Sequence, residues 1–143
     1  MKTRIIKLFL RLAISIGFLS AVADRFGMWQ KDVSVWGNWD NFLNYTKQIN
    51  PWIPNSLIST AGIIATAAEI IFALFLLIGF KTELFAKWSG FLLLLFALSM
   101  TFFTGIKRAI DFSVFTASAG AFALSLMKEK YIEIESLIAK RNN

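Results

Sequence analysis

The sequence predicts an all-α fold: an integral membrane four-helix bundle with a short interfacial helix in the first external loop. Hydrophobic residues make up 57% of the 143 residues and charged residues 17%, whereas soluble domains are about 45–50% apolar and about 25% charged. No residue between Trp88 and Ile106 is charged, and about 18 such residues already predict a span. Lysine and arginine concentrate in the short segments between apolar runs, which is the distribution that the positive-inside rule describes. We therefore interpret residues 1–143 as one membrane domain with four spans.

The first predicted span covers residues 5–23 and contains Arg11. A cleaved signal peptide is the competing interpretation, because the same stretch has a basic start, a short apolar core and an A-x-A site at Ala21-Val22-Ala23. The rest of the chain is itself membrane-like and needs a first helix to set its orientation, which favours a retained span.

The predicted external loop, residues 24–56, holds four of the five tryptophans: Trp29, Trp36, Trp39 and Trp52. Apolar residues recur at helical spacing within 39–49, which predicts a short helix lying in the membrane interface. Tryptophan favours the membrane–water boundary, so these rings are expected to be membrane anchors. Stacking on a bound ligand is the alternative role.

The remaining predicted spans cover residues 57–80, 84–106 and 110–127, and Glu69 is the only charged residue of the second. The polar tail, 128–143, suggests a short surface helix. Lysine and arginine are more numerous in the tail, the N-terminal segment and the 81–87 segment than on the other side, which predicts two cytoplasmic termini. Small residues that repeat every four positions let helices approach closely in lipid; in the fourth span they are Ser113, Ala117, Ala121 and Ser125.

Cysteine and histidine are both absent. Their absence excludes disulfides, iron–sulfur clusters, the usual zinc sites, His-ligated haem and histidine-activated nucleophiles. We predict no catalytic residue, no metal site and no intrinsic cofactor, so electron transfer would need a bound cofactor or a partner. The net charge of +6 follows the segments that flank spans, and nucleic acid is not an expected partner.

Short motifs in the first two spans resemble the DoxX family of small bacterial membrane proteins. In the first span they are Arg11-Leu12-Ala13, Gly17-Phe18 and Ala23-Asp24-Arg25-Phe26, and in the second they are Glu69-Ile70-Ile71 and Leu76-Leu77-Ile78-Gly79-Phe80-Lys81-Thr82. They match the family's Arg at the start of the first helix, the basic residue near its end, the helix-embedded Glu, and the Leu-Gly-x-basic-Thr end of the second helix. Arg25 takes the basic position, where the family often has lysine.

The resemblance implies a multi-pass protein of the bacterial cytoplasmic (inner) membrane. It further implies a non-catalytic membrane subunit or scaffold associated with a membrane-bound oxidoreductase, with quinone or lipid as a candidate bound molecule. The sequence also leaves a homo-oligomer open. The long Trp-rich loop departs from shorter family versions, which puts a binding role for that loop in doubt.

Glu69 is the first candidate functional residue, because a charge near the bilayer centre costs about 2.5–3.5 kcal/mol or more. It shares a helix face with Ala61, Ala65 and Ala73, so we expect it to face other helices. It either carries a proton or binds a ligand, or it is a buried structural carboxylate.

Arg11 has two candidate environments. It could pair with Glu69, but the helical phase places it opposite the small face that contains Ala13, Gly17, Ser20 and Asp24. We therefore expect Arg11 to point away from that face and to snorkel or contact the rim.

Further candidate polar residues are expected at the outer boundary: Asp24, Arg25, Lys107, Arg108 and Asp111. They form either a polar mouth over the bundle or a set of partly paired interfacial charges. Two other functions remain open from the sequence. One is a small proton-coupled carrier that uses Glu69, and the other is a structural, lipid-organising protein.

Overall fold

The computed structural model describes residues 2–134, and every regular element in that range is a helix. The six helices are α1 (Lys2–Arg25), α2 (Trp39–Ile49), α3 (Asn55–Ile78), α4 (Thr82–Thr104), α5 (Ile106–Asp111) and α6 (Val114–Ser125).

Within residues 2–134, three helices are long and apolar enough to cross a membrane: α1, α3 and α4, with 24, 24 and 23 residues. At about 1.5 Å per residue, 24 residues cover about 36 Å, which exceeds the hydrocarbon core of about 30 Å. Only 33%, 28% and 33% of their most apolar windows is buried, so most of these apolar side chains face outward. Three helices of this kind indicate a membrane protein.

The fourth predicted span, 110–127, is wrong as one continuous helix. The chain turns at Ser113, which has a left-handed φ of 55° and separates α5 from α6. The 12 residues of α6 cover about 18 Å, which is less than the apolar thickness of a bilayer. Lys107 and Arg108, which we expected at the outer boundary, lie in α5, after the end of α4 at Thr104.

The predicted helix over 39–49 is α2. Its N-terminus is capped by Asn38, whose side-chain oxygen accepts a hydrogen bond from the backbone N of Asn41 at 2.8 Å. It packs tightly on α3, because a Cβ built on Gly62 would lie 2.6 Å from Cδ2 of Leu43. One face of α2 is therefore buried against the long helices, with Phe42 and Ile49 each 6% exposed.

The four longest apolar helices surround a common axis. Helix α1 packs against α3 and α6, helix α4 packs against the same two, and α2 lies over α3 and α4. Between them is a hydrophobic core formed by Ile14, Phe18, Ala73, Leu76, Ala86, Ala121 and Leu124.

The close approach of α4 and α6 occurs at Gly90. A Cβ there would lie 2.8 Å from the ring of Phe122, and Ser118 donates a hydrogen bond from Oγ to the carbonyl oxygen of Gly90 at 2.9 Å. Of the small residues that we expected to form this contact, Ala121 is fully buried.

After α6 the chain returns to the end of the molecule at which α1 begins. Lys7 donates a hydrogen bond from Nζ to the carbonyl oxygen of Glu129 at 2.6 Å. Residues 128–133 form no helix, and Glu133 is 1% exposed, so the prediction of a surface helix is wrong for this part of the tail. The rest of that prediction lies outside the described residues.

Candidate functional site

Arg25 and Glu69 form a buried ion pair between α1 and α3. Nη2 of Arg25 donates a hydrogen bond to Oε1 of Glu69 at 2.8 Å, and Nη1 donates to Oγ1 of Thr66 at 2.7 Å. The side chains of Arg25 and Glu69 are 3% and 0% exposed. Loss of either partner would leave a buried charge uncompensated.

Two aromatic rings enclose the guanidinium group of Arg25. Its central carbon lies 4.0 Å from the ring centroid of Phe42 and 5.4 Å from that of Trp36, both within the range of a cation–π contact. The two rings meet edge to face at 5.4 Å. The start of α2 and the residues before it thus cover the ion pair.

Asp24 fixes the loop that carries Trp36. Its Oδ2 accepts hydrogen bonds from the backbone N atoms of Val35 at 3.0 Å and Trp36 at 2.8 Å, and its Oδ1 accepts one from Oγ of Ser34. Asp24 is 5% exposed. Two adjacent residues of α1 therefore bind different parts of the protein: Asp24 binds the loop before α2, and Arg25 binds α3.

The helices enclose a partly open cavity of about 1400 Å³, which is larger than typical ligand pockets of about 300–1,000 Å³. We call it the central cavity. Its wall is mostly apolar and comes from every helix of the described chain. The charged residues that line it are Asp24, Arg25, Glu69 and Arg108.

Small residues of α1 and α6 line part of this cavity, among them Gly17 and Gly120. Gly17 has no atom within 4 Å of the position where a Cβ would lie, and the nearest such atom at Gly120 is Cδ2 of Leu10 at 3.8 Å. At these positions the small residues leave space between the two helices.

Three buried polar atoms near the ion pair have no hydrogen-bond partner in the structure. They are Oε2 of Glu69, Nε of Arg25 and Nε1 of Trp36. All three residues also contribute to the wall of the central cavity. An unsatisfied buried polar group is costly, so these atoms favour a bound polar group beside the pair.

At the α5 end of the cavity lie Tyr45 and Arg108. Burial raises the pKa of the Tyr45 phenol above its ordinary value, against a smaller opposite effect of Arg108. The phenol is therefore neutral at physiological pH. Lys107 and Asp111 form an ion pair in which the side chains are 85% and 55% exposed, and neither residue lines the cavity. Of the expected outer charges, Asp24 and Arg25 are thus buried at the site, Arg108 is exposed but lines the cavity, and Lys107 and Asp111 are exposed outside it.

Arg11 does not snorkel, and of the predicted environments its position is nearest to a contact at the rim of the helices. Arg11 is 1% exposed, and its partner is not Glu69. Its Nε donates a hydrogen bond to the carbonyl oxygen of Leu76 at 2.9 Å, and its Nη2 donates to that of Leu77 at 3.0 Å. The last carbonyls of a helix lack partners within the helix, and the guanidinium fork of Arg11 satisfies two of them in α3. The small face of α1 borders the cavity, while Arg11, which does not line it, contacts α3 and the tail.

Arg11 also belongs to a cluster of charges at the start of α1, which we call the terminal charge cluster: Lys7, Arg11, Glu83, Lys130 and Glu133. Lys7 lies 2.8 Å from Oε1 of Glu133 and 3.5 Å from Oε1 of Glu83. Lys7 and Glu133 are 0% and 1% exposed. The cluster joins α1, α4 and the tail.

Sequence reasoning missed the partners of Arg25. Thr66 lies three residues before Glu69 and hence on the same helix face, so its spacing could have indicated it. Trp36 and Phe42 come from the loop and α2, and no spacing in the sequence relates them to Arg25.

Comparison with known proteins gives no match to this chain among protein-family models, curated proteins or solved structures. The resemblance to the DoxX family therefore stays a prediction from the sequence motifs.

Proposed function

We propose that the protein is a DoxX-like, four-span protein of the bacterial inner membrane. In this proposal it serves as a non-catalytic subunit or scaffold of a redox enzyme and binds quinone or lipid in the central cavity. The observation that carries the proposal is a cavity of about 1400 Å³ with a mostly apolar wall and a buried ion pair. The association with an oxidoreductase rests on the family resemblance.

The proposed topology has α5 and α6 together as the fourth crossing and both termini in the cytoplasm. It is supported by the return of the chain to Lys7 after α6, while α5 lies at the other end, beside Ile49 of α2. A reporter fused after residue 143 should behave as cytoplasmic, and one inserted within 26–50 as external. The reverse pattern, or a mature protein that begins at Asp24, would contradict this topology.

The binding proposal is tested by purifying the full chain from native membranes in mild detergent and identifying co-purified molecules by mass spectrometry. We expect quinone or a specific lipid, together with a soluble oxidoreductase. Ala117→Phe should reduce the recovered small molecule, because Ala117 lines the cavity. Ala119→Phe is the matched control, because Ala119 is exposed and does not line it. Repeated recovery of the protein with no bound molecule and no partner would overturn the proposal.

A proton-coupled carrier is the second candidate, and the buried Glu69 in the cavity wall favours it. The ion pair with Arg25 argues against it, because a carboxylate that binds a proton must release its cation. Vesicles containing the wild type or Glu69→Gln should differ in uptake or efflux if this function is correct. Equal transport by the two proteins would eliminate it.

A further inference from the structure

We infer that the central cavity binds an amphipathic molecule whose head group is uncharged and carries a hydroxyl. The inference rests on the proposed binding function and specifies the chemical class of the ligand. Three features of the cavity lead to it: its charge balance, its unsatisfied polar atoms and the shape of its apolar part.

The charges in the cavity wall cancel. Asp24 and Glu69 are acidic, and Arg25 and Arg108 are basic. Asp24 is held by backbone and serine donors, and Glu69 by Arg25. A carboxylate or phosphate head group beside the pair would add an unbalanced negative charge in a poorly solvated site, and an ammonium group would add a positive one. An uncharged head group avoids both costs.

The unsatisfied atoms specify the hydrogen-bonding pattern of that head group. Oε2 of Glu69 needs a donor, while Nε of Arg25 and Nε1 of Trp36 each need an acceptor. A hydroxyl supplies one O–H donor and two acceptor lone pairs, which matches the one donor and two acceptors that these atoms require. An ether, ester or ketone oxygen accepts but cannot donate, and would leave Oε2 of Glu69 unsatisfied.

These atoms are shielded from solvent, so in this inference a ligand reaches them through a local shift of side chains. Trp36 is half-buried and lines the cavity. Its indole ring lies over Arg25, and the same ring carries one of the unsatisfied donors.

The apolar part of the ligand fits between α1 and α6. Gly17 faces open space, and a Cβ at Gly120 would be in ordinary van der Waals contact with Leu10. The small residues of both helices that line the cavity leave room for a hydrocarbon chain along them. Further apolar wall is supplied by Leu92, Leu93 and Phe96 of α4. A long-chain alcohol, a diacylglycerol and a reduced quinone all combine such a chain with a hydroxyl.

The test uses the full chain in detergent and measures competition against radiolabelled 1-hexadecanol by unlabelled 1-hexadecanol, methyl hexadecyl ether and palmitate. We expect the alcohol to bind about tenfold more tightly than the ether, since loss of the O–H leaves Glu69 unsatisfied. Palmitate should also bind at least tenfold more weakly, because it is an anion. Equal binding of alcohol and ether, or tightest binding of palmitate, would overturn the inference.

Matched variants locate the contact. Trp36→Phe keeps an aromatic ring over Arg25 but removes the indole N–H, and should weaken hexadecanol binding about fivefold. Trp88→Phe removes an N–H outside the cavity wall and should leave binding unchanged. Equal affinities for these two variants would contradict the assignment. Competition by dioleoylglycerol and by a ubiquinol analogue identifies a lipid or a reduced quinone as the source of the hydroxyl.

The experiments distinguish failure of the hydroxyl inference from failure of the proposed binding function. If native membranes yield a quinone or lipid that Ala117→Phe displaces, but the alcohol has no advantage over the ether, the cavity binds a ligand and the hydroxyl inference is wrong. If no molecule is recovered and no probe binds, the proposed binding function is wrong as well.

Discussion

Arg25 donates a hydrogen bond to Glu69 over 2.8 Å, from the last residue of α1 to the interior of α3. Both side chains are almost completely buried. The two residues come from the two motifs that carry the family resemblance, and the ion pair brings these motifs together beside the central cavity. It is therefore the contact on which the stability and the chemistry of the site both depend.

Single substitutions at this pair should be more harmful than the double substitution. Arg25→Gln or Glu69→Gln leaves one buried charge unpaired and should lower the free energy of unfolding by about 3–5 kcal/mol. The double variant removes both charges and should recover part of that loss. Thermal unfolding of the purified variants in detergent measures the effect. Lys107→Gln serves as the control, because its exposed ion pair with Asp111 should contribute about 0.2–1 kcal/mol. If the buried and exposed variants lose the same stability, the pair is not structurally important.

Arg11→Lys should loosen the tail although it conserves the charge. Arg11 donates hydrogen bonds to carbonyl oxygens of α3 and, from Nη1, to those of Tyr131 and Ile132 at 3.0 and 2.9 Å. A lysine ammonium cannot reproduce this planar fork. We expect faster hydrogen exchange in residues 128–134 and a loss of about 1–3 kcal/mol. Arg4→Lys, at an exposed position of α1, should have no such effect. Unchanged exchange in the Arg11 variant would contradict the assigned contacts.

Gly62→Ala should displace α2 from α3. The added Cβ would meet Leu43 Cδ2 at 2.6 Å, and overpacking of this kind costs about 1–3 kcal/mol. Leu43→Ala in the same chain should relieve part of the loss, because it removes the atom in contact. Thermal unfolding is again the measurement, with Gly17→Ala as the control, since Gly17 has open space around it. If Gly17→Ala is as unstable as Gly62→Ala, an added methyl group destabilises the protein at either position, and the contact with Leu43 is not the cause.

Asp24→Asn should release the loop before α2. The amide keeps one acceptor oxygen but replaces the other with a donor, and both carboxylate oxygens accept hydrogen bonds in the native protein. Limited proteolysis of residues 26–38 should become several times faster, which corresponds to about 1 kcal/mol of local stability. Asp32→Asn, at an exposed position of the same loop, should be cut at the wild-type rate. If the protease cuts both variants at the same rate, Asp24 is not the residue that anchors the loop.

The apolar pattern was sufficient to locate α1, α3 and α4 to within a few residues, because long uncharged runs leave little choice of boundary. The helical spacing in the loop also located α2 at its observed bounds. The apolar pattern did not predict the break in the fourth predicted span. The turn at Ser113 depends on a left-handed backbone conformation of a non-glycine residue, and no local feature of the sequence predicts that conformation.

For the site, the sequence identified the buried carboxylate but not its partner. Helical phase was applied to Arg11, and position in the chain put Arg25 at the outer boundary. Neither could show that Trp36 and Phe42 cover the end of α1. The contacts of Arg25 with Trp36 and Phe42 join segments whose relative placement depends on tertiary packing. Hydrophobic periodicity within one segment does not predict which residues of two separate segments will pair.

The hydrogen bonds of Arg11 also constrain the order in which the protein can be assembled. Its acceptors at Leu76 and at Tyr131 lie 65 and 120 residues later in the chain. During synthesis α1 emerges with an arginine whose partners do not yet exist, and its guanidinium group must stay hydrated or bound to lipid head groups until α3 arrives. Its remaining hydrogen bonds form only after the ribosome has translated the residues that follow α6. Completion of these contacts is thus linked to translation of Tyr131 and Ile132.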